Sequence, residues 1–273
     1  MEQKAQKKGV RPPMSVLAVG AHPDDIEVGC YGTLLKHKSL GDKVTVVITT
    51  KGGYGNRTWA QISREVKNAS KVLGVNYIIL DNKIGHYEIT WKTVSELDQI
   101  ISRNAVDTVY TMWHGDSHQD HQLTFKNVLA ACRTKCIRNL YCFEQSEYSY
   151  RSQSTFNARY FVDISEFLEM KLKATEAFKS YITPHHIEAI RGLAKHRGLA
   201  CNSEYAEAFE PIFTMWKLPR GQAPLFRLLR LKFGIEIRCA KVSNLKNSQK
   251  TTEVLLIIRG IPTFSNQFNP TCA

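Results

Sequence analysis

A chain of 273 residues, 43% hydrophobic and 23% charged, is long enough to bury one substantial core and has the balance of a globular protein, which excludes disordered and fibrous classes. No window approaches about 18 uninterrupted apolar residues, and the start (Glu2, Lys4, Lys7, Lys8, Arg11) leads into no signal-type apolar region, so a cytoplasmic protein is expected. The net charge of +12 invites nucleic acid, yet residues 1–13 hold +3 and residues 217–273 hold +8, leaving 14–216 at +1; the basicity belongs to the tails and no nucleic-acid partner is expected.

The first apolar run, Val16-Leu17-Ala18-Val19-Gly20, reads as a strand that stops on Ala21-His22-Pro23-Asp24-Asp25. A helix over 26–40 follows, with Gly29 and Gly32 allowing close approach and Gly41 ending it. KVTVVITT (43–50) is β-branched enough for a buried parallel strand, and its glycine loop (51–56) matches no phosphate-binding pattern. Residues 59–73 give a helix with Ile62, Val66, Ala69 and Leu73 on one side, closed by Gly74. A strand at 77–81, a helix at 93–103 and a strand at 105–111 lead to a second polar cluster, His114-Gly115-Asp116-Ser117-His118-Gln119-Asp120-His121.

A helix at 119–133, strands at 140–143 and 160–164, and helices at 166–179 and 185–197 complete the regular part, which ends beyond Phe213. The alternation predicts an α/β, doubly wound, mostly parallel sheet with helices on both faces and a site outside the carboxyl ends of the strands. The expected organisation is a basic N-terminal tail (1–13), a catalytic domain (14–216) and a basic C-terminal extension (217–273) without catalytic residues. Within that extension, residues 225–233 (LFRLLRLKF) offer a basic, apolar stretch to an anionic membrane surface or a partner, against the alternative of a loosely held extension that is neither a clean helix nor a hairpin. The seven cysteines form no regular framework and suit reduced thiols, with Cys132 and Cys136 read as small buried apolar residues.

Two strand ends carrying His and Asp point to metal-assisted hydrolysis. A hydrolytic zinc site wants three protein ligands of imidazole and carboxylate type with a position left open. His22 and Asp25 lie three apart on one tight turn stiffened by Pro23, and His121 can supply the third ligand. Asp24 then stands beside the ion without being needed by it, as a general base; a divalent ion lowers the pKa of bound water from 15.7 to about 7, so little help is required. His118 can reach the substrate carbonyl oxygen, stabilising the oxyanion if protonated, and Asp116 or Asp120 can fix the tautomer of a histidine.

These residues, AHPDDIEVGCYGTL (21–34) and HGDSHQDH (114–121), resemble the LmbE/PIG-L family of zinc deacetylases, and the likeness continues through SREVKNASKVLGV, FVDISEFLEMKLKA and YAEAFE to about residue 212. The resemblance implies a Rossmann-like fold that binds zinc, and removal of an acetyl group from the N-acetylglucosamine moiety of a small-molecule conjugate. By position it implies His22, Asp25 and His121 as metal ligands, Asp24 as base, His118 as transition-state stabiliser and Arg64 as a substrate-binding arginine. Two positions depart from the pattern: Tyr31 replaces a second glycine and would narrow the pocket, and Ser180-Tyr181 replaces Ser-Gln. Two histidines and a carboxylate also fit a non-haem iron site, so Fe2+ is an alternative to Zn2+. A catalytically silent carbohydrate-binding protein is the reading from another class.

Overall fold

The computed structural model describes residues 11–52, 57–133, 135–145, 152 and 154–215, together with the backbone of two strands at 236–241 and 254–259. In chain order the elements are β1 (Ser15–Gly20), α1 (Asp25–Gly29), α2 (Tyr31–Ser39), β2 (Lys43–Ile48), α3 (Trp59–Leu73), β3 (Tyr77–Ile79), α4 (Trp91–Arg103), β4 (Thr108–Met112), α5 (Gln119–Cys132) and β5 (Asn139–Phe143). They continue with β6 (Tyr160–Asp163), α6 (Leu168–Thr175), α7 (Pro184–Leu199) and β7 (Ala206–Thr214). The chain divides into two compact units, 1–215 and 216–273.

In the first unit seven strands form one sheet in the order β3-β2-β1-β4-β5-β7-β6. The first five are mutually parallel, and β7 runs antiparallel to both β5 and β6. Strand β1 shows why helices cover both faces. Val16 and Ala18 pack with Ile26, Leu34 and Phe143 on one side, whereas Leu17 and Val19 pack with Leu97, Ile101 and Val128 on the other. A strand buried on both faces needs apolar residues at every position, which is what Val16 to Val19 supply.

Several elements differ from the expectation. The helix over 26–40 is two helices, because Cys30 leaves helical geometry at φ −144. Cys30 supplies no side-chain cap; instead Glu207 accepts the Gly32 and Thr33 amides at 2.9 and 2.7 Å, capping α2 from β7. The same carboxylate pairs with buried Lys171, whose Nζ also donates to the Val28 carbonyl at 2.7 Å. Strand β7 has no counterpart in the expectation. Ala105 turns at φ 47, which delays β4 to Thr108. Tyr31 does not narrow a pocket: it is buried, and its hydroxyl donates to the Ala69 carbonyl of α3 at 2.7 Å. Cys132 is buried but Cys136 is exposed.

The second unit contains β8 (Glu236–Lys241) and β9 (Val254–Arg259), an antiparallel pair six residues long, where no hairpin was expected. The glycine-loop residues 53–56 and the basic stretch 225–233 lie outside the described residues. No described helix is long and apolar enough to cross a membrane.

Candidate metal centre

Strands β1 and β4 are neighbours, in register from Val16 beside Thr108 to Val19 beside Thr111. The sheet continues from β1 toward β2 and from β4 toward β5, so the loops after β1 and β4 open at the reversal of strand order, where an open α/β sheet leaves a crevice. Those two loops carry the two polar clusters.

The first loop is held by backbone bonds. Ala21 and His22 amides donate to Asp25 Oδ2 at 2.8 and 2.7 Å, Thr50 donates its amide and hydroxyl to the Ala21 carbonyl at 2.9 Å each, and Gln145 Nε2 donates to the Asp25 carbonyl at 3.0 Å. The tightness shows at Asp24, whose φ of 114 is a region that non-glycine residues rarely enter. In the second loop His118 caps α5 through Nδ1, which accepts the Asp120 amide at 3.1 Å.

The loops bring His22 Nδ1 and His121 Nε2 to 3.2 Å. Asp25 completes the group, with Oδ1 at 3.4 Å from His121 Nε2 and Oδ2 at 3.6 Å from His22 Nδ1. A tetrahedral ion bound at about 2.0–2.1 Å sets neighbouring ligand atoms about 3.3–3.4 Å apart. The outer nitrogens are engaged by carboxylates: His22 Nε2 with Asp120 Oδ2 at 3.1 Å, and His121 Nδ1 with Asp116 Oδ2 at 2.9 Å. Asp120 Oδ2 is steadied in turn by the Gly85 amide at 2.8 Å. With their hydrogens on the outer nitrogens, both imidazoles turn lone pairs inward, toward each other and toward a carboxylate. Converging acceptors of this kind fit a cation.

The electrostatics favour positive charge at the same point. Burial alone would lower the His121 pKa, but the Asp25 and Asp116 carboxylates push it up to about 10. Burial likewise works against a charged Asp25, yet His121 and His22 hold its carboxyl at about 2. Asp24 moves the other way: burial and the neighbouring Asp25 charge raise its pKa well above the usual carboxylate range, with Arg57 opposing them. The His118 pKa is lowered by burial and by His121 and His22.

Six residues were expected at the site. The structure gathers His22, Asp25 and His121 as described and sets the His118 ring 4.7 Å from that of His22 and 4.8 Å from that of His121. The ligating atoms of the three histidines lie within 4.8 Å of one another, so His118 is the alternative third ligand to Asp25. Its Nδ1, however, is taken by the Asp120 amide. Arg64 is not brought to the cluster; it is exposed on α3, and its Nε donates to the Ala60 carbonyl of its own helix at 3.3 Å. Arg57 is the cation felt by Asp24. It is held by Ser180 Oγ at 2.8 Å and lies over the Tyr181 ring, while Ser180 also donates its amide and hydroxyl to Glu65 at 2.8 and 2.7 Å. The expectation missed Arg57, Gly85 and Gln145. The one signal available was that Glu144-Gln145 is a polar pair just past a strand end.

Residues 17–132, which include both loops, match the PIG-L family, described as GlcNAc-PI de-N-acetylase. The chain belongs to this family of deacetylases, hydrolases of amide C–N bonds that depend on a metal. An uncharacterised deacetylase of Escherichia coli, YaiS, is 35% identical over 127 residues, which is 44% of this chain and 68% of the relative. A diacetylchitobiose deacetylase of Thermococcus kodakarensis is 26% identical over 220 residues, covering 70% of this chain and 80% of that one. Among solved structures, the 4-carboxy-2-hydroxymuconate hydratase GalB of Pseudomonas putida superposes with a TM-score of 0.66 at 20% identity, over 76% of this chain and 99% of the hydratase. The last likeness concerns the fold alone: one scaffold carries a hydratase and deacetylases, so the activity has to be argued from the site.

Proposed function

We propose that this deacetylase removes the acetyl group from an N-acetylglucosamine moiety of a small glycoconjugate, with His22, Asp25 and His121 holding a zinc ion. The observation that carries the reading is the convergence of two imidazole lone pairs and one carboxylate at 3.2–3.6 Å, with a second carboxylate, Asp24, adjacent in sequence and absent from that set. The sugar is inferred from the diacetylchitobiose deacetylase among the relatives.

A divalent ion bound there would supply Lewis acidity, making water a nucleophile near neutral pH and polarising the amide carbonyl. The protein's own groups do the rest. Asp24, with its raised pKa, takes a proton from the attacking water and returns it to the leaving nitrogen. His118 accepts a backbone amide at Nδ1, so the neutral ring carries its hydrogen on Nε2 and donates it to the carbonyl oxygen as negative charge builds there. That donor role needs no extra proton, which suits a lowered pKa. Asp116 and Asp120 engage the outer nitrogens of His121 and His22 and so aim the inner nitrogens of both rings at the point where the ion would sit. Arg64 stays a substrate-binding candidate by resemblance, and Arg57, pinned near Asp24, is better placed to orient a substrate hydroxyl.

The test is acetate release from N,N'-diacetylchitobiose and other N-acetylglucosaminyl conjugates, beside metal analysis of each variant. Asp24→Asn should keep its metal and lose at least about 10²-fold in rate. His121→Ala should lose the metal itself. An Asp24→Asn variant as active as the wild type would refute the base assignment, and iron in place of zinc in the active protein would replace the metal.

A further inference from the structure

A cavity of about 510 Å³ opens at the amino ends of the strands, the far edge of the sheet from the histidine cluster. Met14, Thr108 and Asn139, which precede or begin β1, β4 and β5, line it together with α2 and β6. Six residues of strand at about 3.3 Å each separate it from the catalytic loops by about 15–20 Å. The volume is within the range of small-molecule sites, about 300–1,000 Å³.

Its lining combines three features. Tyrosines form a stack: Tyr110 on Tyr141 with ring centroids 5.4 Å apart, and Tyr141 on Tyr160 at 4.7 Å and nearly parallel. Tyr160 ends the stack and is 41% exposed, so ring surface is left for a ligand. Thr33, 1% exposed, also lines the cavity, and its hydroxyl is enclosed with no hydrogen-bond partner among the described residues. An enclosed hydroxyl without a partner is disfavoured, and a ligand hydroxyl that meets it as the Thr33 side chain turns toward the cavity would relieve it. The cations are already answered. Arg11 is clamped on both oxygens of Asp42 at 2.8 and 2.6 Å, and Lys36 donates to the Asp163 carbonyl at 2.7 Å, near enough for its charge to help lower the pKa of the Asp163 carboxyl. An anion would find no unopposed charge here.

We propose that this cavity is a second, non-catalytic binding site for a neutral carbohydrate ring. A pyranose has a C–H face that lies on an aromatic ring and an edge of hydroxyls that donate and accept, which matches a tyrosine platform beside an unpartnered hydroxyl. A flat aromatic ligand would stack but leave Thr33 unanswered. The proposal is independent of the deacetylase reading, because it uses no residue of the metal centre.

The experiment is calorimetric titration with cellobiose, which has no acetamide for the catalytic end to act on, and with inorganic phosphate in parallel. Saturable cellobiose binding is expected in the wild type and in His121→Ala alike, and binding at least about tenfold weaker in Tyr160→Ala and in Thr33→Val, which keeps the side-chain shape. Phosphate should give no saturable heat. Acetate release by Tyr160→Ala at the wild-type rate would show that this variant is folded. Absence of cellobiose binding, its survival in both cavity variants, its loss in His121→Ala, or phosphate binding that Tyr160→Ala abolishes would each overturn the proposal.

Discussion

Asp24 carries two burdens at once, a backbone at φ 114 and a carboxyl whose surroundings resist its charge. Each disfavours the folded state, and neither is needed to form the turn, because Asp25 already ties the Ala21 and His22 amides. Strain of this sort is of order 1–3 kcal/mol and persists where function requires it. Asp24→Gly should therefore be inactive in acetate release yet more stable by about 1 kcal/mol or more, seen as a higher thermal midpoint of the metal-free protein. A lower midpoint would mean that the side chain, not the backbone, matters most for folding. Behind the proposed ligands, Asp120 makes the complementary case. It engages His22 Nε2 through Oδ2, so on the proposed ligation Asp120→Asn should weaken zinc by about 10–100-fold in competition with a chelator.

At the scale of elements, packing against Phe143 dictates Gly29. A Cβ at that position would collide with the Phe143 ring, which is fully buried between β5 and α1 and has nowhere to turn. Gly29→Ala should cost about 1–3 kcal/mol, read as a shift of the denaturant midpoint at constant slope. Strands β1, β2, β4 and β5 were legible because strands covered on both faces are written as largely unbroken apolar or β-branched runs, and α3 because its stripe ends at Gly74, which takes the left-handed geometry at φ 70. The cluster of His22, Asp25 and His121 was legible because the segments rich in His and Asp follow two such runs, β1 and β4. Strand β7 was not, since Glu207 and Glu210 interrupt its apolar pattern and Pro211 sits in it where the register with β5 shifts. Nor was the break at Cys30, because the group that caps α2 stands 175 positions away. Long-range capping leaves no local trace.

For the molecule as a whole, one clasp joins the segment entering β1 to the turn between α2 and β2. Asp42 accepts Arg11 on both oxygens, the Met14 amide at 2.8 Å and His37 Nδ1 at 2.7 Å. Burial opposes its charge, but Arg11, Met14 and His37 hold the carboxyl well below the usual carboxylate value of 3.8. A depressed folded-state pKa stabilises above the unfolded value and loses that contribution as pH falls through the folded value. The wild type should therefore lose more stability than Asp42→Asn between about pH 5 and pH 2, measured by urea unfolding across that range; parallel acid limbs would remove the clasp from the account. Because β7 runs antiparallel to β5, Thr214 lies beside Asn139, and the polypeptide leaves the catalytic sheet at the edge remote from the histidines. An enzyme immobilised through a linker at Met215 would accordingly keep its catalytic mouth turned toward the bulk solution.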